Sequence, residues 1–237
     1  MPTSMPTSMP TSMPAFATIE GRALRYELTG DGPHTIAWTH GVGGSLDYWR
    51  EDLPKFPGFR HLTYDVRGMG QSEGSDGPVS LEDWARDLAG LLDALSIPRA
   101  IIAGSSMGGA ISQRFAIDHP ERVEGLLLLS TSSRVGAAAT AGWMQRADET
   151  EKTDPRLAAA QRAVAAYNMD EGLKTIAVPT LIIVGDSDAT TPPGGSVLMS
   201  RLIPHSELEI YAGIGHGPLH EEPRSVERVR EWLRRFT

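Results

Sequence analysis

One hexapeptide constrains this chain more than any other segment. Gly104-Ser105-Ser106-Met107-Gly108-Gly109 follows the short apolar run Ala100–Ala103 and opens the helical stretch Met107–Asp118. It contains G-x-S-x-G in the strand-then-helix setting that gives this spacing a physical meaning. A serine on so tight a turn adopts strained backbone angles. Side chains two residues to either side would collide with the neighbouring strand and helix, so glycine stands there. The turn thrusts the Ser106 hydroxyl outward, and the helix beginning at Met107 aims amide N–H groups and its positive dipole end at the same place. Ser105 takes the variable position of the motif and is read as a packing residue.

Short apolar segments alternate with helical ones on both sides of this turn. Phe16–Ile19 and Leu24–Leu28 flank Glu20-Gly21-Arg22 as a predicted hairpin. Thr35–Thr39, His61–Asp65, Gly125–Leu129, Thr180–Val184 and Leu208–Tyr211 read as further strands. Leu81, Trp84, Leu88, Leu91, Leu92 and Leu95 make a stripe at three-to-four spacing behind Ser80, with Asp83 in the capping-box place. Ser45–Leu53, about Gly195–Leu202 and Ser225–Phe236 also read as helical. Strands alternating with helices imply an α/β fold with a mostly parallel sheet covered on both faces, and function then gathers at the carboxyl ends of the strands. Between Ser130 and Pro179 the strand pattern lapses, leaving two weakly helical stretches near Ala137–Glu149 and Pro155–Asp170.

A serine is a weak nucleophile until a base, itself held by a third group, takes its proton. Downstream of Ser106, the strand Thr180–Val184 runs into Gly185-Asp186-Ser187-Asp188, and Tyr211 leads into Gly213-Ile214-Gly215-His216-Gly217. The order Ser, Asp, His nominates His216 as base and Asp188 as its orienting acid, with Asp186 as a turn carboxylate. His220, beside Glu221 and Glu222, reads as solvated or structural. Upstream, His40-Gly41-Val42-Gly43-Gly44 is the glycine-rich loop that turns a backbone N–H toward the reacting oxygen. The oxyanion donors are assigned to the amides of Val42 and Met107, and His40 then braces that loop. Tyr64–Ser72 carries Gly68 and Gly70 but not the G-x-G-x-x-G spacing of a phosphate-cradling loop, so an Asp65–Arg67 loop clamp is expected there.

Composition removes other classes. The chain has 22 Lys+Arg against 30 Asp+Glu, a formal charge of −8, which disfavours a nucleic-acid partner. Zero cysteines exclude a disulfide scaffold, a thiolate zinc site and a cysteine nucleophile. No apolar run approaches the ~18 to 20 residues of a membrane span. Residues 1–14 are Met-Pro-Thr-Ser repeats with neither a basic start nor an apolar stretch, expected to be a disordered tail rather than a signal peptide. A soluble cytoplasmic protein is the expectation.

Taken together, His40–Gly44, Asp65–Ser72, Gly104–Gly109, Gly185–Pro193 and Gly213–Pro223 resemble, in order, the motifs of the α/β-hydrolase superfamily. The likeness is to its small esterases, enol-lactonases, carbon–carbon bond hydrolases and cofactor-free perhydrolases. Asp188-Ala189-Thr190-Thr191-Pro192-Pro193, and His216 followed by Glu222-Pro223, are similar to the 3-oxoadipate enol-lactonase branch. Serine at the elbow departs from haloalkane dehalogenases, which carry aspartate there. The resemblance implies a hydrolase core in residues 15–130 and 179–237, with Ser106, Asp188 and His216 as triad and no metal or organic cofactor. It also implies a helical cap at 131–178. Relatives usually place several helices there, whereas Thr131–Val178 is 48 residues, room for about two. A reduced cap implies a more open site and acceptance of small esters. Cleavage of a small ester or lactone is the leading expectation. Carbon–carbon bond hydrolysis or perhydrolysis on the same triad, and ligand reception without turnover, are the alternatives.

Overall fold

The computed structural model describes residues 13–75 and 77–237; most of the Met-Pro-Thr-Ser segment, residues 1–12, lies outside the described residues. Strands β1 (Ala15–Ile19) and β2 (Arg22–Thr29) form the hairpin. Its two-residue turn is Glu20-Gly21, both at positive φ, so Arg22 already belongs to the strand. Strands β3 (Thr35–Thr39), β4 (Arg60–Tyr64), β5 (Ala100–Ser105), β6 (Val123–Leu129), β7 (Thr180–Gly185) and β8 (Ser206–Tyr211) complete one eight-stranded sheet. Its order is β1-β2-β4-β3-β5-β6-β7-β8. The β1–β2 and β2–β4 pairs are antiparallel and every other pair is parallel.

The inner parallel strands β3, β5, β6 and β7 are largely apolar runs because both faces are covered, and the period of two divides each run between two cores. Ile102, Leu126, Leu128 and Ile182 face one core. It is closed by α1 (Leu81–Ala94), α2 (Met107–Asp118) and, through Met199, α6 (Pro193–Leu202). Ile101, Ala103, Leu127, Leu129, Leu181 and Ile183 face the other, under Trp49, Phe56 and the Val226, Val229, Trp232 face of α8 (Pro223–Leu233). The capping box on α1 forms in both directions: Ser80 Oγ accepts from the Asp83 amide at 3.2 Å, and Asp83 accepts from the Ser80 amide at 2.9 Å.

Three local expectations are corrected. Ser45–Leu53 is not an α-helix but two 3₁₀ turns, Leu46–Trp49 and Leu53–Lys55, because its amides close i→i+3 bonds and Pro54 withholds a donor. The insertion between β6 and β7 holds α3 (Ala137–Thr150), α4 (Pro155–Ala163) and the single turn α5 (Asp170–Leu173). α4 stops short of Asp170 because the backbone of Tyr167 and Met169 bonds to Val135 and Ser133 instead. Asp65 and Arg67 do not clamp each other. Asp65 accepts from the amides of Leu46 and Gln71, both at 2.7 Å, while buried Arg67 makes a two-pronged ion pair with Asp87 on α1.

A buried histidine ties β3 to β4. The Trp38 indole can only donate, so His61 Nδ1 accepts from it at 3.1 Å and Nε2–H donates to the Phe56 carbonyl at 3.0 Å. Burial holds His61 down at about 4. The unfolded chain takes up this proton near pH 6.5 and the folded one resists, so the stabilisation is complete above that pH and fades as pH falls toward 4. A urea-unfolding series from pH 7 to 4 is expected to lose about 3 kcal/mol through this group. His61→Gln should make the decline shallower; an unchanged slope would contradict the assignment.

Candidate active site

The carboxyl ends of β3, β5 and β7, and the loop after β8, converge on one region. At the end of β5, Ser106 sits at φ 57° and ψ −121°, a left-handed conformation costly for a residue with a side chain. Its amide donates to the Leu129 carbonyl at 3.0 Å, and its own carbonyl accepts from Thr131 Oγ1 at 2.8 Å, which pins the turn on both sides. The side chain does not cap α2, so the hydroxyl is left to project. The flanking glycines are sterically required. A Cβ at Gly104 would lie 2.2 Å from the Gly108 carbonyl oxygen, and one at Gly108 would lie 2.1 Å from that of Thr39.

The loop after β3 folds back over this turn. The Gly44 amide donates to the Gly41 carbonyl at 3.1 Å. Gly41 comes so close to Ser106 that an added Cβ would meet its Cβ at 3.4 Å. His40 is fully occupied as a brace: Nδ1–H donates to the Gly41 carbonyl at 2.7 Å, and Nε2 accepts from the Val66 amide at 3.0 Å. Burial pushes its pKa down, against smaller opposing effects of the Gly41 bond and Asp65.

At the end of β7, the side chain of Asp188 is buried and receives four donors. Oδ1 accepts from the amides of Thr190 and Thr191, each at 2.9 Å. Oδ2 accepts from Thr191 Oγ1 at 2.7 Å and from His216 Nδ1 at 2.7 Å. Burial alone would raise this carboxyl, but the bonds from Thr191 and His216 outweigh it and hold the pKa below the usual carboxylate range. An ionised carboxylate only accepts, so Nδ1 of the 37% exposed His216 side chain is the donor to it. Asp186 instead accepts from the Gly213 amide at 2.7 Å, fastening the turn after β8. Gly185 lets the histidine loop lie across the end of β7, since a Cβ there would be 2.0 Å from the Ile214 carbonyl oxygen.

Ser106, Val42 and Met107 line one cavity of about 230 Å³ with Thr190, Thr191 and Pro192. Thr191 joins it to the histidine, its hydroxyl standing 3.4 Å from His216 Nδ1. Ala139 and Trp143 of α3, with Val164 and Tyr167 beyond α4, form the far wall, so the short insertion reaches the serine. Arg134, ion-paired to Asp170 at 3.2 Å, is the charged side chain among these lining residues. Among the described residues no cluster of three or more His, Asp or Glu could hold a metal ion, and no helix is long and apolar enough to cross a membrane.

Sequence reasoning passed over three contributors. Thr191 appeared only as part of a resemblance, yet its hydroxyl touches both members of the Asp188–His216 pair. Tyr48 stands against Ser105, which pulls the phenol pKa down against the burial that raises it, so the variable position of the elbow has a polar neighbour. Glu221 bonds the amides of Gly215 and Gly217 on either side of His216. No spacing rule announces any of these. His220 stands apart, edge-on to Tyr48 and 3.4 Å from Asp52.

Comparison with known proteins agrees with this fold. The chain is 26% identical over 257 aligned residues to 3-oxoadipate enol-lactonase 2 of Acinetobacter baylyi, covering 92% of this chain and 96% of that one. A hydrolase from Pseudomonas aeruginosa superimposes with a TM-score of 0.85 at 27% identity, covering 93% and 98% of the two chains. A thermophilic esterase from Thermogutta terrifontis does so with a TM-score of 0.84 at 26% identity, covering 94% and 99%. The family described as alpha/beta hydrolase fold matches residues 38–177, well over half the chain, and this protein belongs to it.

Proposed function

We propose that the protein is a serine hydrolase that cleaves small carboxylic esters or lactones through an acyl-enzyme on Ser106. The observation that carries this reading is the 2.7 Å bond from His216 Nδ1–H to buried Asp188, a pair that Thr191 joins to the cavity lined by Ser106 on its strained strand-to-helix turn. Ser106 Oγ attacks the carbonyl carbon while its proton passes to His216 Nε2, and the carbonyl electron pair moves onto oxygen. The amides of Val42 and Met107 receive that negative charge. As the pair returns, the alcohol leaves and takes the proton from Nε2. Water then repeats the sequence and frees the acid. The enol-lactonase and esterase relatives support an ester or lactone as substrate. The modest cavity, walled by Val42, Met107, Val135, Ala139 and Trp143, supports a short apolar acyl group.

Ser106→Ala is expected to lower kcat for p-nitrophenyl acetate by about 10⁴-fold or more. Asp188→Asn should come close to that, because an amide in its place offers Nδ1 the wrong tautomer. Retained turnover in the serine variant would refute the acyl-enzyme. Trp143→Ala should raise kcat/KM for p-nitrophenyl octanoate relative to the acetate by about tenfold, as the far wall recedes. A chain-length profile that does not change would remove Trp143 from the acyl pocket.

A further inference from the structure

We propose that Glu221 is a positioning residue: its carboxylate accepts from the amides of the two glycines that flank His216 and so holds the imidazole in place. This rests on the reading of His216 as the base. Glu221 ends the short helix α7 (Pro218–Glu221) and reaches back along the chain. Oε2 accepts from the Gly215 amide at 2.8 Å and Oε1 from the Gly217 amide at 2.9 Å. Gly215 and Gly217 immediately precede and follow His216, so one carboxylate ties the chain on both sides of it. The Glu221 amide in turn donates to the Gly217 carbonyl at 2.9 Å, closing the ring.

The surrounding sequence explains why a clamp is needed. Glycine stands at 213, 215 and 217, leaving the backbone around His216 with little intrinsic preference. The same glycines let the carboxylate approach: a Cβ at Gly217 would lie 3.1 Å from Oε1, and one at Gly215 would lie 3.2 Å from Oε2. Upstream the loop is already tied, since Ile214 accepts from the Ser187 amide at 3.0 Å and the Gly213 amide donates to Asp186. The clamp itself is mounted on an anchored element. Pro218 and Leu219 are buried, the Pro218 carbonyl accepts from Ser225 Oγ at 2.7 Å, and that of Leu219 accepts from Lys55 Nζ at 3.2 Å. The two amide bonds hold the Glu221 carboxyl below its ordinary range, as they would for a carboxylate that works as an ion.

The test compares Glu221→Ala, Glu221→Gln and, as a neighbouring-charge control, Glu222→Gln, whose carboxylate bonds Arg224 rather than the loop. Glu221→Ala should lower kcat for p-nitrophenyl acetate by about 10²-fold, the scale of a misplaced catalytic group, with KM within about twofold and the urea midpoint near wild type. Glu221→Gln, which retains one acceptor oxygen, should fall between. Glu222→Gln should stay within about twofold of wild type. Proton NMR of histidine-labelled enzyme should show the downfield His216 Nδ1–H signal broadened or lost in Glu221→Ala, independently of turnover. An unchanged kcat, an equal loss in Glu222→Gln, or a sharp unshifted Nδ1–H signal beside a lowered kcat would each overturn the proposal. If Ser106→Ala retained activity, the hydrolase reading itself would fail, which none of those three outcomes would imply.

Discussion

The loops of this site meet because backbone passes where a side chain would otherwise stand. Gly108 lies against the end of β3, Gly104 against the first turn of α2, and Gly185 against the loop after β8. At each, a single added carbon would come within about 2.2 Å of a carbonyl oxygen. No rotamer change relieves such a clash, since the colliding atoms are main chain. The hydrolase geometry therefore depends on missing atoms at three strand ends, and on a sheet packed firmly enough to hold those ends in register. Both faces of β5, β6 and β7 are buried, which supplies that rigidity.

Polar groups then give direction to what the glycines bring close. Asp188 gathers four donors from three residues, Asp65 ties the 3₁₀ turn after β3 to the loop after β4, and Glu221 spans the peptides around His216. The histidines show how far partners decide role. His40 and His61 are buried with both ring nitrogens engaged, and burial depresses the pKa of each. His216 has one nitrogen on a carboxylate, and its side chain is partly exposed. The imidazole is the same in all three, and the difference lies in what it faces.

Much of this was legible in the residue order. The strand–elbow–helix passage around Ser106, the capped stripe of α1 and the alternation of strands with helices are all local patterns whose period or spacing carries a physical cause. The serine, aspartate and histidine were nominated from their places after β5, β7 and β8. Elsewhere local pattern misled. Ser45–Leu53 has helical spacing but spends its amides on i→i+3 bonds, and the residues after Ala163 leave the helix to bond the segment after β6. Asp65 and Arg67, two residues apart, suggested one clamp, yet Arg67 reaches α1 while Asp65 reaches the loops on either side of it.

The sequence by itself determined the fold class, the position of the elbow and the residue types available for chemistry. Those follow from hydrophobic period, from turn stereochemistry and from which side chains can donate, accept or attack, all properties of near neighbours along the chain. Tertiary structure alone decided that Thr191 stands between serine cavity and histidine, and that Trp143 of the insertion lines the same cavity as Ser106. Those contacts join residues 25 or more positions apart through distances of a few ångströms. Their choice rests on how loops cross at the sheet's edge, and no local spacing encodes that crossing.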